Sequence, residues 1–262
     1  MASISDLADD PIDREGARTL SLCPQCLKRI SAVRRESEGQ VWLPDNSRRP
    51  PVHGCPFDCG LCRNHRQRSC TVVIDVTPRC DLACPVCFAD STRDGPDDPR
   101  LDELGRRFEA VSRTSPGCNI QLSGGEPTLR DDLPEIVAMG RDAGFDFLQV
   151  NTNGIRMARD AHYLKRLAEA GLDSIFLQFD GTGDAIYRKL RGRPLLETKQ
   201  AAIAACKKAN LGVVLVVTVV PGVNDHDLGA VLKLAVENTP IVRGVHFQPI
   251  SYFGRFPSAP SP

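Results

Sequence analysis

The stretch TVVIDVTPRCDLACPVCF, residues 71–88, joins a run of β-branched residues to three closely spaced cysteines. Its first seven residues, TVVIDVT, are typical of a buried β-strand, because valine, isoleucine and threonine favour extended backbone. Cys80, Cys84 and Cys87 follow in a C-x3-C-x2-C spacing. In parallel α/β folds the functional loops come after the carboxyl ends of strands. The stretch therefore predicts a strand that leads directly into a functional loop, which we call the cysteine loop (residues 80–87).

The chain beyond residue 71 alternates strand-like and helix-like segments, the pattern of βα units around a parallel sheet. The apolar runs predict strands that are buried on both faces. Helical spacing of apolar residues between the strands begins with Leu101, Leu104, Phe108 and Val111. We predict an α/β fold, a partial (β/α)6 barrel, because six repeats do not close an eight-stranded barrel. The predicted strands are TVVIDVT (71–77), NIQLSGG (119–125), FDFLQVN (145–151), SIFLQFD (174–180), GVVLVVTVV (212–220) and IVRGVHFQPI (241–250).

Charge and hydropathy exclude several classes of protein. Lysine plus arginine equals aspartate plus glutamate, at 33 each in 262 residues, so the charge predicts no nucleic-acid partner. The opening MASISDLADDPIDREG lacks the apolar run of a secretory signal, and no later segment reaches the ~20 apolar residues of a membrane span. We therefore expect a cytoplasmic protein with at most peripheral membrane contact.

Cysteine is unevenly distributed, since nine of the eleven cysteines lie between residues 23 and 87. In a reducing compartment, clustering at x2 and x3 spacings favours metal binding over disulfides. Cys118 precedes a predicted strand, and Cys206 lies in the helical run LLETKQAAIAACKKAN. For these two cysteines we predict packing rather than metal ligation.

A second triad with the same spacing lies upstream of the cysteine loop. This amino-terminal triad is Cys55, Cys59 and Cys62. It follows DNSRRPPVHG, which holds two prolines and no strand, so the triad of the cysteine loop is the predicted catalytic one. Three cysteines on one loop can bind three irons of a [4Fe–4S] cluster and leave the fourth iron open to a small chelating molecule.

The cysteine loop and its neighbours resemble the radical S-adenosylmethionine (SAM) enzymes. CDLACPVCF matches the hallmark spacing of these enzymes, with an aromatic residue, Phe88, beside the last cysteine. GGEP, after the second predicted strand, matches their glycine-rich stretch near the methionyl amino group of SAM. Glycine lets backbone approach a ligand, and a glutamate places charge near an ammonium. The resemblance implies cofactor contacts from Gly124, Gly125, Glu126 and Pro127.

Further candidates for the SAM pocket lie where predicted strands end. Asn153 is alternatively a turn residue, and Asp180 is alternatively a helix cap. Arg191, in the basic run RKLRGRP (188–194), is a candidate partner for a carboxylate, and the alternative is a solvated loop. The candidates at strand ends are Asn153 in NTNG (151–154), Gln178 and Asp180 in QFDG (178–181), and Gln248 in QPIS (248–251).

The resemblance also implies a reaction and its participants. A reduced [4Fe–4S] cluster donates one electron to bound SAM, a carbon–sulfur bond breaks, and the resulting 5′-deoxyadenosyl radical abstracts hydrogen from substrate. The protein positions the substrate C–H bond and excludes water. The expected electron donor is a reductant such as ferredoxin or flavodoxin.

The remaining cysteines predict further metal sites near the amino terminus. With Cys70, the amino-terminal triad offers four thiolates for an auxiliary [4Fe–4S] cluster or for mononuclear iron or zinc, and His65 is a rival ligand. Upstream, LCPQCLKRI presents Cys23 and Cys26 as a metal knuckle. A tetrahedral site needs four ligands, so His53 or a downstream cysteine would complete it.

The arrangement from about residue 20 to residue 255 resembles one branch of the family, the tetraether lipid synthases and their bacterial relatives. This branch joins the terminal methyl carbons of alkyl chains, which implies a lipid substrate and carbon–carbon coupling. Relatives labelled pterin methyltransferases imply the alternative, a small-molecule heterocycle. The chain stops in SYFGRFPSAPSP where relatives continue, so a third hypothesis is an inactive, truncated iron–sulfur protein.

An apolar channel to the open iron would favour the lipid substrate, whereas several convergent polar groups would favour the heterocycle.

These inferences divide the chain into four predicted segments. The predicted segments are a disordered amino terminus (1–19), a cysteine-rich metal-binding module (20–70), a radical SAM core (71–252) and a disordered tail (253–262).

Overall fold

The chain divides into two compact units, residues 1–68 and 69–262. The computed structural model describes the backbone of four short strands in the first unit, and residues 69–252 and 254–256 of the second. In the first unit, two antiparallel pairs form: β1 (Arg18–Leu22) with β2 (Arg29–Val33), and β3 (Arg35–Ser37) with β4 (Gln40–Trp42). The candidate ligands Cys23, Cys26, His53, Cys55, Cys59, Cys62 and His65 lie outside the described residues.

The second unit is built on six parallel strands that lie side by side in chain order. This confirms the predicted α/β fold. The strands are β5 (Thr71–Thr77), β6 (Asn119–Gly124), β7 (Leu148–Thr152), β8 (Ser174–Gln178), β9 (Gly212–Val219) and β10 (Val242–Pro249). The helices are α1 (Leu101–Thr114), α2 (Leu133–Asp142), α3 (Ile155–Arg159), α4 (Ala161–Glu169), α5 (Asp184–Arg191), α6 (Leu196–Lys208) and α7 (Leu228–Glu237).

The hydrophobic core lies between one face of the sheet and the helices. Leu148 and Val150 of β7 belong to it, together with Leu104 and Phe108, the apolar positions of α1. Cys118 and Cys206 are buried in the same core, as their predicted packing role requires. Among the described residues, none of the helices combines the length and apolar character needed to cross a membrane.

The other face of the sheet corrects the prediction of strands buried on both faces. Gln121 and Ser123 of β6 are only half-buried, as are Gln149 and Asn151 of β7. The register aligns these residues, since Gln121 lies opposite Gln149. In a partial barrel this concave face has no second layer of helices against it, so it carries polar groups that a doubly covered sheet would exclude.

The basic run RKLRGRP also differs from its loop interpretation. Arg188 to Arg191 form the last turn of α5, and Gly192 ends the helix with a φ of 79°, which glycine adopts without strain. Arg188 remains exposed, whereas Arg191 is buried. The helix therefore turns one member of the basic run inward and leaves the others in solvent.

Candidate active site

The cysteine loop leaves the carboxyl end of β5 and is tied to the rest of the unit at both ends. The backbone N–H of Cys80 donates to the carbonyl of Thr92 at 3.0 Å. At the other end, Cys87 and Arg255 exchange two backbone hydrogen bonds, of 2.8 and 2.9 Å. The thiols are thus carried by a loop whose backbone is hydrogen-bonded to neighbouring segments.

Arg255 holds the cysteine loop with its side chain as well. Its Nη1 donates to the carbonyl of Cys84 at 3.0 Å, and its Nη2 donates to the carbonyl of Ser91 at 2.9 Å. Its Nε donates to Asp90 Oδ1 at 3.0 Å. Sequence reasoning missed this residue because it lies in the Pro/Ser/Ala-rich tail, and only its spacing just beyond the sixth strand could have drawn attention to it.

The three thiols line one cavity of about 290 Å³. Burial raises the pKa of Cys80 to about 12 and raises that of Cys84, where Arg191 opposes the rise. Within the described part of the chain, no three His, Cys, Asp or Glu side chains converge on a single ion. A [4Fe–4S] cluster does not need several ligands on a single ion. It needs one thiolate for each of several irons. Three cysteines around one cavity fit that requirement.

Gly124 and Gly125 line the same cavity, and the structure gives them a further role. A Cβ on Gly124 would overlap the carbonyl oxygen of Thr77, and one on Gly125 would overlap that of Arg79. The N–H of Gly125 donates to Thr77 O and that of Glu126 to Arg79 O, both at 2.8 Å. The glycines therefore let β6 pack against the backbone that enters the cysteine loop, and the ligand approach predicted for them stays a prediction.

The carboxylate of Glu126 is turned into the protein. Its Oε1 accepts from Thr128 Oγ1 at 2.5 Å, from Thr128 N at 3.1 Å and from Thr152 Oγ1 at 2.6 Å. Its Oε2 accepts from Asn153 N at 2.6 Å. Burial raises the pKa of Glu126, and these four donors oppose the rise. The side chain thus fixes the turn after β6 to the end of β7.

Asp180 and Arg191 form a second buried network at the ends of β8 and β9. The guanidinium donates from Nε to Asp180 Oδ2 at 2.7 Å and from Nη2 to Asp180 Oδ1 at 2.8 Å. Its Nη1 donates to the carbonyl of Val86, in the cysteine loop, at 2.9 Å. Burial alone would lower the pKa of Arg191, but the Asp180 carboxylate raises it overall. The solvated-loop interpretation of Arg191 is wrong, because its carboxylate partner is internal.

Lys199 links the two networks within the protein. Its side chain is 0% exposed, and Nζ donates to Asn153 O at 2.6 Å and to Gln178 Oε1 at 2.8 Å. Gln178 in turn donates to Asp180 Oδ2. Burial lowers the pKa of Lys199 to about 8. Its position in a polar stretch of α6 gave no sequence signal of this role.

Residues 74–235 match the family model of the radical SAM superfamily, and residues 17–54 match that of the HMPTM N-terminal zinc ribbon domain. The first match spans more than half of the chain. The protein belongs to the radical SAM superfamily. As a radical SAM protein it uses a [4Fe–4S] cluster and SAM, as the cysteine loop predicted, and the zinc ribbon fits an additional metal site.

Two curated relatives carry further information. A 7,8-dihydro-6-hydroxymethylpterin dimethyltransferase of Methanocaldococcus jannaschii is 41% identical over 273 aligned residues, which cover 91% of this chain and 54% of the relative. A GTP 3′,8-cyclase of Erythrobacter litoralis is 32% identical over 166 residues, which cover 62% of this chain and 49% of the relative. The radical SAM chain therefore spans about half the length of these relatives.

Solved structures share the fold of this radical SAM chain. SuiB of Streptococcus suis bound to S-adenosylmethionine superposes with a TM-score of 0.58 at 14% identity, covering 73% of this chain and 44% of SuiB. Methylornithine synthase (PylB) gives a TM-score of 0.58 at 18% identity, covering 73% of this chain and 56% of PylB. At such low identity the likeness concerns the fold alone.

The radical SAM cavity brings together most of the residues predicted for it. Asp180 and Pro127 do not line it: Asp180 is fully buried, and Pro127 begins the short 3-10 helix Pro127–Leu129. Phe88 lines the cavity with a side chain that is 70% exposed. The predicted residues that line the cavity are Cys80, Cys84, Cys87, Phe88, Gly124, Gly125, Glu126, Asn153, Gln178, Arg191 and Gln248.

Cys70 lies away from this cavity. It directly precedes β5, whereas the cysteine loop follows that strand. Seven residues of extended chain at about 3.3 Å each separate the two ends of β5 by about 20 Å. A metal bound by Cys70 would therefore lie towards the amino end of β5, not at the mouth where Cys80 lies.

Proposed function

We propose that this chain is the SAM-cleaving core of a C-methyltransferase that acts on a pterin-like heterocycle. The observation that carries the proposal is the 41% identity, over 91% of the chain, to a protein named as a pterin dimethyltransferase. The zinc ribbon match at residues 17–54 extends the agreement to the amino-terminal unit. The GTP 3′,8-cyclases, also similar in sequence, are named for another fused heterocycle.

The residues of the chain have defined tasks in this proposal. Cys80, Cys84 and Cys87 would each bind one iron of the cluster. When bound, the cluster and SAM supply one-electron chemistry that removes a hydrogen atom from an unactivated C–H bond. Gln248 lines the cavity, where its amide would orient polar parts of SAM or substrate, whereas the Gln178 amide is bonded to Lys199 and Asp180 and would support the lining from within the protein. The electron donor would be a reductant such as ferredoxin or flavodoxin.

The lining of the cavity supports a heterocycle more than an alkyl chain. The alternative substrate, a lipid whose alkyl ends become coupled, requires a channel lined by apolar side chains. Four lining residues, Ser123, Asn151, Gln248 and Ser251, carry polar groups outside the buried networks around Glu126 and Asp180, and an alkyl chain would leave these groups unpaired. The polar lining residues that are already hydrogen-bonded in those networks are Glu126, Thr152, Asn153, Gln178, Arg191 and Thr218.

The position of Cys70 also weighs against one route to lipid coupling. In that route an auxiliary cluster near the amino-terminal triad, with Cys70 as a ligand, holds one alkyl chain while the other is activated. Cys70 precedes β5, about 20 Å along the strand from the cysteine loop. We instead propose that the amino-terminal cysteines bind iron or zinc for structural stability in a module that spans residues 20–70.

The direct test compares the two substrates with one preparation. The anaerobically reconstituted chain is given SAM, a chemical reductant and either 7,8-dihydro-6-hydroxymethylpterin or lipid vesicles. We expect pterin-dependent formation of 5′-deoxyadenosine, measured by mass spectrometry and absent from Cys84→Ala. Formation of 5′-deoxyadenosine and coupled lipid with vesicles, and none with the pterin, would reject the methyltransferase proposal in favour of the lipid alternative.

A further inference from the structure

A ladder of polar side chains crosses the concave face of the sheet beside the cysteine loop. Gln121 Nε2 on β6 donates to Asn151 Oδ1 on β7, and Asn151 Nδ2 donates back across the strands to Ser123 Oγ at 3.0 Å. Ser123 and Asn151 line the cavity that the three cysteines share. The core does not need this ladder, because it lies on the half-buried face opposite the packed helices.

The direction of the ladder decides what it offers to a ligand. Asn151 has two amide protons and uses one of them on Ser123. Ser123 accepts that bond, so its own hydroxyl proton lies outside the ladder. The carbonyl oxygen of Asn151 is occupied by Gln121, which holds the amide in this orientation. Ser123 and Asn151 together therefore offer the cavity two neighbouring donors.

An aromatic surface stands next to these donors. Phe176 on β8 is the register partner of Asn151 and lines the same cavity. His246 on β10 supports it, with ring centroids 5.5 Å apart and an angle of 54° between the planes. A flat ligand bonded edge-on to Ser123 and Asn151 would have this apolar surface on the adjacent strand.

We propose that Ser123 and Asn151 bind the heterocyclic substrate through two adjacent acceptors, a ring carbonyl oxygen and the neighbouring ring nitrogen. This inference rests on the proposed function, and it names the edge of the substrate to which the site donates hydrogen bonds. In a 7,8-dihydropterin the two acceptors are the C4 carbonyl oxygen and N5. Guanine carries the same pair as O6 and N7. Gln121 is a positioning residue, since it sets the orientation of the Asn151 amide.

The test measures binding rather than turnover. The cluster-loaded protein, with SAM and without reductant, is dialysed to equilibrium against 6-hydroxymethylpterin or its 5-deaza analogue, in which C–H replaces N5. An unpaired buried donor costs enough that we expect the wild type to bind the pterin about tenfold more tightly than the analogue. Asn151→Leu should weaken pterin binding about tenfold and leave analogue binding within about twofold, so the preference disappears.

Matched variants separate this effect from general damage. Gln149→Leu changes an amide on the same strand and the same face that does not line the cavity, and it should keep the preference. Ser123→Ala is the milder variant, and it should reduce the preference without removing it. Retention of SAM by each variant, measured in the same dialysis, reports that the fold and the cofactor site are intact.

The outcomes distinguish this inference from the function on which it rests. If the wild type binds the pterin and the 5-deaza analogue equally, or if Asn151→Leu and Ser123→Ala both keep the preference, the assignment of the two donors is wrong and the methyltransferase proposal stands. If the wild type retains SAM but binds neither compound, the proposed substrate class fails and this inference fails with it.

Discussion

Two buried carboxylates lie at the same edge of the sheet, and the protein satisfies them in different ways. At the ends of β6 and β7, Glu126 accepts four hydrogen bonds from neutral groups, namely hydroxyls and backbone N–H. At the ends of β8 and β9, Asp180 is 0% exposed and accepts from Nε and Nη2 of the Arg191 guanidinium. We call these the Glu126 region and the Asp180 region.

The difference lies in what each region connects. The Glu126 carboxylate accepts from residues 128, 152 and 153, and its region meets the cysteine loop through the neutral amide of Asn153, whose Nδ2 donates to Asp81 Oδ1 at 2.7 Å. In the Asp180 region, Arg191 reaches Val86 in the cysteine loop, 105 residues earlier in the chain. Neutral donors can hold a carboxylate locally, but a buried ion pair that also bonds a distant carbonyl couples the helix, the sheet and the loop. The position of the thiols should therefore depend more on Asp180 and Arg191 than on Glu126.

The largest expected effect is that of Arg191→Met, which leaves the Asp180 carboxylate buried without its cation. Removal of one partner of a buried pair costs about 3–5 kcal/mol, and urea unfolding of the iron-free chain measures this loss. The variant should also retain less iron after reconstitution, because Val86 loses its donor. Arg188→Met removes an exposed arginine from the same helix and should change neither quantity. Wild-type iron content in a destabilised Arg191→Met would contradict the coupling.

At this edge of the sheet, the sequence predicts those features that depend on residues close together in the chain. Strand β5 and the cysteine loop follow from β-branched residues before a spaced triad, and GGEP follows from its place after a strand. Strand β7 begins at Leu148, not at residue 145 as predicted, because the carbonyls of Phe145 and Asp146 accept from the Arg141 guanidinium instead of joining the sheet.

The parts that sequence misses are partnerships between distant segments. Arg191 is one of several arginines in a basic run, and only tertiary packing selects it as the buried one. Lys199 lies among polar residues of α6 and is typical of a solvated helix face, yet it is fully buried. Arg255 bonds Cys84 across 171 residues. A side chain carries no local mark of the partner that it meets at such separations, so the Asp180 region could be only partly predicted.

A smaller effect should come from Lys199, which joins the two regions through Asn153 and Gln178. Burial lowers its pKa to about 8 in the folded chain, from 10.5. Between about pH 8 and pH 10 the unfolded chain therefore binds more protons, and stability rises with pH across that window. The free energy of unfolding of the wild type, minus that of Lys199→Met, should rise by roughly 2 kcal/mol there. A constant difference between the two proteins would show that the ammonium is not desolvated.

The smallest expected losses of stability come from the same substitution made once in each region, threonine to the isosteric valine. Thr152 donates to the Glu126 carboxylate at 2.6 Å, so Thr152→Val should cost about 2 kcal/mol, as hydrogen bonds to charged groups do. Thr218 accepts from Arg191 Nη2 at 3.0 Å, and the same nitrogen keeps its bond to Asp180. Thr218→Val should therefore cost only about 1 kcal/mol. Urea unfolding of both variants measures the order. A reversed order would mean that the neutral donors around Glu126 compensate for one another, whereas the guanidinium of Arg191 needs every acceptor that surrounds it.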